Sequence, residues 1–263
     1  MDRIMQIVRK EWAEVFRNRL VLFSVAFLPL MLTALPLVIL GAVGSGGGMD
    51  EMMASDLPGE FGQVCAGLDG ADCSQYFLLS QFMLMFMLIP LVIPSTIASY
   101  SIVGEKTTRT LEPILATPIT TLEFLLGKSL AAFAPGVLAT WLGFGVFTTG
   151  ALLMGVGEAV IGRILSPLWL LAVLVVGPLL AVMSVCVAIM VSSRVRDPRV
   201  AEQISVLVIL PMLGLFFGQI SGLIYINEKM IIWMAAGLVV LDTGLLAFAT
   251  HLFQRESILT RWK

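Results

Sequence analysis

Apolar residues are distributed in two different ways along this chain. Over residues 1–19 they return at helical spacing, at Ile4, Val8, Trp12, Val15 and Phe16, while Arg3, Lys10, Glu14 and Arg17 fall on another face. That period predicts an amphipathic helix, and a basic helix with a Trp on its apolar side is suited to lie in a membrane interface. Beyond the arm the pattern loses its polar face. Six runs are apolar all round, at about 20–44, 77–103, 130–154, 168–192, 204–226 and 231–251. A hydrocarbon core of roughly 30 Å takes about 20 residues per helical crossing, so each run is long enough to span. The predicted fold is an all-α polytopic membrane protein: residues 1–263 as one transmembrane domain, an interfacial elbow helix at 1–19, and six transmembrane helices. The last two runs are separated by "NEKM", Asn227–Met230, which predicts a tight hairpin.

Composition agrees and charge adds an orientation. Hydrophobic residues make up 58% of the chain and charged ones 13%, about half the charged share of soluble domains. If the six runs alternate across the membrane, fourteen of the sixteen Lys and Arg residues fall on one side. They lie in the N-terminal arm, the 104–129 loop, the loop around Arg194, Arg196 and Arg199, and the tail. Only Arg163 and Lys229 fall on the other side, where the loop at about 45–76 has six acids and neither Lys nor Arg. The positive-inside rule then places both termini in the cytoplasm of a multi-pass plasma-membrane protein. Tyr76, Trp169, Tyr225 and Trp233 would mark the outer interface, and Trp12, Tyr100 and Trp262 the inner one. The first run follows a charged arm and is too long for a signal-peptide core, so it reads as an uncleaved first span.

Several features carry structural readings. Pro29, Pro36, Pro90, Pro94, Pro135, Pro178 and Pro211 fall inside the runs, where each removes a backbone hydrogen bond. Gly214, Gly218 and Gly222 share one helical face, a small-residue pattern that serves internal packing or a dimer seam. Cys65 and Cys73 lie in one short stretch of the acidic outer loop. They suit a disulfide, with two free thiols or half a metal site as the alternatives, and no histidine lies near them. Cys186 lies inside a span and reads as packing.

Reactive chemistry is sparse. The sole histidine is His251, and no zinc-protease motif, paired membrane aspartates or serine-based constellation is present. "GKS", Gly127–Ser129, resembles the end of a phosphate-binding loop, but that loop needs a glycine where Leu122 stands. The chain is therefore read as having no catalytic, cofactor or metal site of its own. Asp242 is the one acid deep inside a run. It is either a polar point on a substrate path, a proton site among the possibilities, or a buried acid bonded to a neighbouring helix.

One polar stretch interrupts the apolar pattern: "GEKTTRTLEPILATP", Gly104–Pro118. "TTLE" follows as a capping box, Thr120 with Glu123, opening the next span. Leu111, Ile114 and Leu115 form an apolar patch, and Glu105, Lys106, Arg109 and Glu112 supply polar contacts, as a helix seated in a partner's groove requires. "GEKTTRTLEPILATPITTLEFLLGK" resembles the cytoplasmic loop of ABC-2-type transporter permeases, with its E-x-x-x-x-T-L-E-x-L-L-x-T-P pattern. "RKEWAEVFRNR" is similar to that family's elbow helix, and "SSRVRDPRVAEQIS" to its fourth-to-fifth-span region. The nearest resemblance is to sodium-extrusion, copper-processing and multidrug-type export permeases, although the outer loop here is much shorter than in the sodium type.

The resemblance implies a permease subunit of an ATP-driven exporter that pairs with a second permease copy, identical or not, and carries separate ATP-binding subunits, which hold the ATP and Mg. It implies coupling through the 104–129 loop, by Glu105, Arg109, Leu111, Glu112, Pro113, Leu115, Thr117 and Pro118. Two rivals stand beside it, an ion-gradient-driven secondary transporter and a non-transporting membrane scaffold. The first predicts several membrane acids or matched half-helices, and the sequence offers one acid and no clear repeat.

Overall fold

The structure, a computed structural model, describes residues 2–17, 19–46, 68, 70–107, 120–195, 197–224 and 226–252. The described residues form helices, and six helical stretches are long and apolar enough to cross a membrane. Helix α1, Asp2–Arg17, leads into α2, Arg19–Gly46, the first span. Span two has two pieces, α3, Gly70–Phe86, and α4, Ile89–Thr107, broken at Met87 and Leu88. Span three is one long helix, α5, Thr121–Leu153.

Span four is assembled from more parts. The short α6, Glu158–Ile164, precedes α7, Pro167–Leu171, a π-helical turn at Ala172–Val176, and α8, Gly177–Arg194. Span five combines α9, Pro198–Ser205, a 3-10 turn at Val206–Ile209, and α10, Leu210–Ile220. Span six is α11, Glu228–Leu252. The connection between the last two spans precedes the expected "NEKM" position, because Glu228–Met230 already lie in α11. Its turn uses Gly222 at φ +71 and a bond from the Leu223 amide to the Gly218 carbonyl, 2.9 Å.

The prolines divide into two groups. Pro29, Pro36, Pro94 and Pro135 lie inside helices, as expected. Pro90, Pro178 and Pro211 instead stand in the first turn of α4, α8 and α10. Pro178 and Pro211 directly follow the π-helical and 3-10 turns, whose backbone stays in the right-handed helical region, so the missing N–H there goes with a local change of bonding pattern rather than with a new helix. Each follows one of the breaks in spans two, four and five.

Burial shows which spans are central. In span two, 61% of the most apolar window is buried within the chain, against 11% in span six. Helices α4 and α8 pack on one another at the centre, α5 lies against α1, α2 and α4, and α11 packs mainly on α8. Close approach is made possible by glycine. A Cβ on Gly127 would lie 2.8 Å from Ile7, one on Gly136 2.6 Å from the Pro94 ring, and one on Gly150 2.7 Å from Leu37. Gly218 receives Ile224 from the hairpin in the same way, at 2.7 Å, whereas nothing lies within 4 Å of a Cβ on Gly214.

Helix α1 departs from expectation in its surroundings. Its period is helical, as read, but Val8 and Val15 are buried, Trp12 is partly buried, and the helix packs on α5. The Trp12 indole Nε1 donates to the Ala131 carbonyl at 3.0 Å. Most of the apolar stripe assigned to the interface is therefore spent on protein. Phe16, at 57% exposure, lies outside that contact.

Candidate functional site

The polar groups with most structure around them lie where α1, α4 and α5 meet. Lys128, on the second turn of α5, places its Nζ 2.8 Å from Glu11 Oε1 and 2.9 Å from Glu105 Oε2. It also donates to Ser101 Oγ at 2.6 Å, and Ser101 in turn donates to Glu11 Oε2. Lys10 pairs with the other oxygen of Glu105 and lies 3.4 Å from Glu14 one turn along α1. The Lys128 ammonium sits over the Phe124 ring, 5.1 Å from its centroid.

This cluster is dry. The side chains of Lys128 and Glu11 are 2% exposed and that of Glu105 is 5% exposed, while Lys10, at 41%, closes the cluster on the open side. Two ammonium groups face two buried carboxylates, so the set is near neutral, which is the condition for burying charge at tolerable cost. Burial pushes the Glu11 carboxyl up, but the Lys128 charge and the hydrogen bonds from Lys128 and Ser101 outweigh it and hold Glu11 below the usual carboxylate range. Burial likewise acts to lower Lys10, and the hydrogen bond and charge of Glu105 reverse that, leaving it above its ordinary value.

Local sequence explains the placement. Glu11 lies four residues after Ile7 and four before Val15, so it projects from the middle of the stripe that packs on α5. Lys128 lies one turn beyond Phe124 because α5 starts early. The Thr120 hydroxyl accepts from the Glu123 amide, and the Glu123 carboxylate accepts from the Thr120 amide at 2.8 Å. The expected capping box is thus formed. It extends the third helix well before residue 130, so Gly127–Ser129, read as part of the 104–129 loop, is helical and Lys128 is buried. Span two likewise continues to Thr107.

Of the residues assigned to coupling, Glu105 is inside the cluster, 4% exposed overall, and turned toward α1 and α5. Arg109, Leu111, Glu112, Pro113, Leu115, Thr117 and Pro118 lie outside the described residues, as does Cys65. Glu11, Ser101 and Lys128 carry the cluster and were not singled out from sequence. The available signal was an acid in register with an apolar stripe. Among the described residues no group of three or more His, Cys, Asp or Glu could hold a metal ion.

The opposite side of α4 has its own polar contact. Thr96 Oγ1 donates to Glu202 Oε1 of α9 at 2.9 Å, and the Ser99 and Ser205 hydroxyls are 3.4 Å apart. Helix α4 is therefore tied to α1 and α5 through Ser101 and Glu105, and to the base of span five through Thr96 and Ser99. Asp242 lies far from both contacts in sequence, on the packing face of α11, 4% exposed.

Near the other end of span two, Cys73 is disulfide-bonded, while Cys186 is free and buried. The chain has three cysteines, so peptide mapping without reductant is expected to recover Cys73 linked to Cys65. Two alkylatable thiols in freshly purified protein, besides Cys186, would overturn that pairing.

No curated protein is significantly similar to the chain. A family profile described as ABC-2 family transporter protein matches residues 5–256, which takes in every helix of the bundle and the buried cluster. The chain is a multi-pass transport component and belongs to the ABC-2 transporter family.

Proposed function

We propose that this chain is the permease subunit of an ATP-driven exporter, with both termini and the 108–119 segment in the cytoplasm. A separate ATP-binding subunit, which holds ATP and Mg, seats this segment in a groove, and a second permease copy completes the path. Leu111 and Leu115 are the apolar anchors of the seated segment, Arg109 and Glu112 its polar contacts, and Pro113, Thr117 and Pro118 shape and end it. Glu105 has a different part from the one first read: it anchors the segment's leading end from inside.

The observation that carries this reading is the buried ion cluster. Glu105 lies just before the 108–119 segment and Lys128 two turns into the helix after it, and both are bonded to α1. A displacement applied to the segment is therefore delivered to α1, α4 and α5 together. The Thr96–Glu202 contact extends it to span five. A spacer loop needs no such anchorage at both ends.

The test is substitution within the segment, as Glu112→Lys and Leu115→Asp. Each removes an anchor of a groove contact, so co-purification of the ATP-binding subunit and transport should both fall by roughly tenfold or more. All six spans should still insert, because a surface segment contributes little to burial in lipid. Normal association and normal transport with both variants would defeat the coupling assignment.

A further inference from the structure

Asp242 is a buried acid for which the coupling reading has no use. Helix α11 has one packing face, on which Ile231, Leu238, Asp242 and Ala249 are buried, and it is set mainly against α8. Asp242 is at the middle of that face, 4% exposed, and neither carboxylate oxygen has a hydrogen-bond partner. It lies fourteen residues from Glu228, at the start of α11, about 20 Å along the axis. A carboxylate shut off from water, donors and cations inside a span is strongly disfavoured.

The elements packed on α11 supply no compensating charge. The π-helical turn and α7 contain no titratable side chain. Helix α8 contains Cys186, which is buried, and Arg194, which is exposed at its last turn. Glu228 and Lys229 of α11 are exposed at its opposite end. Among the described residues, then, no positive charge faces Asp242.

We infer that Asp242 is a binding site for one positive charge at the α8–α11 seam, and that the charge is a proton. Hard metal ions collect six or more oxygens. Here the side chains offer one carboxylate, and the backbone carbonyls of two helices are engaged in their own ladders. A proton taken from water forms one O–H bond on the carboxylate and leaves a neutral acid, which an apolar seam accepts. The proton is thus the ligand that keeps α11 closed on α8, and its loss leaves an uncompensated charge that opens the seam. Unfolded chain in contact with water releases the proton readily, so raising the pH favours opening and unfolding.

The experiment is thermal unfolding of the full-length chain in lipid nanodiscs, wild type against Asp242→Asn, from about pH 4 to about pH 8 and in sodium or choline at fixed ionic strength. The wild type should lose roughly 3–8 °C more than the Asn variant across that range, with no response to sodium. Equal pH slopes in the two proteins, or a wild-type shift that follows sodium at fixed pH, would overturn the proposal. Should the Asn variant fail to fold, infrared spectra of the wild type decide. A protonated-carboxyl band at about pH 5 that fades as pH rises is expected, and its absence would overturn the site. No ATP-binding partner enters these measurements, so their failure would leave the coupling reading untouched.

Discussion

Lys128→Met should be the most damaging single change at the base of the bundle, lowering stability by about 3–5 kcal/mol. The substitution keeps the length and apolar bulk of the side chain, so packing against Phe124 survives. What is lost is the charge that Glu11 and Glu105 share, together with the hydrogen bond to Ser101. Lys10 pairs with Glu105 and lies 3.6 Å from Glu11, so one partly exposed ammonium is left for two buried acids. Removing a matched pair should be far gentler: Glu11→Leu combined with Lys128→Met leaves Lys10 facing Glu105. A double-mutant cycle by thermal unfolding in detergent checks this, and the double variant should recover most of the loss. A single variant as stable as wild type would mean that the cluster contributes nothing to holding α1.

Gly136→Ala should be the second large effect, a loss of about 1–3 kcal/mol from one added methyl group. Its Cβ would lie 2.6 Å from Pro94 Cγ and 2.8 Å from Pro94 Cδ. A proline ring inside a helix cannot swing aside as a flexible chain end can. Helices α4 and α5 must therefore separate at that contact. Gly145→Ala is the control, since it lies on the same helix with nothing within 4 Å of the new atom. That change should be neutral or stabilising by up to about 1 kcal/mol through helix propensity. Equal melting behaviour of the two variants would refute the close α4–α5 contact.

Much of the architecture was open to a reader of the residues alone. Six apolar runs, the amphipathic arm and the capping box at Thr120 all depend on local signals, and the structure has them. Boundaries were less legible. Hydropathy detects where a run becomes apolar, not where a helix begins, so the polar first turns of α5 were assigned to a loop. The same limit hid the breaks in spans two, four and five. Pro90, Pro178 and Pro211 are visible in the sequence, but a proline beside a local break and one inside a regular helix look alike there.

What the sequence by itself determined is that this chain crosses a membrane and keeps a polar segment between spans two and three. Length and apolarity suffice for that, because no other environment accepts six such runs. What only the tertiary structure decided is what each polar group faces. Lys128 looked like a loop cation, and nothing in the arm marked Glu11 as its partner. Residues 117 apart in sequence become a 2.8 Å pair because α1 folds back onto α5. The stripe on α1 that could have faced lipid faces protein for the same reason. Apolarity records that a side chain leaves water but not what it meets, and the pairing of buried charges exists only once the helices are in contact.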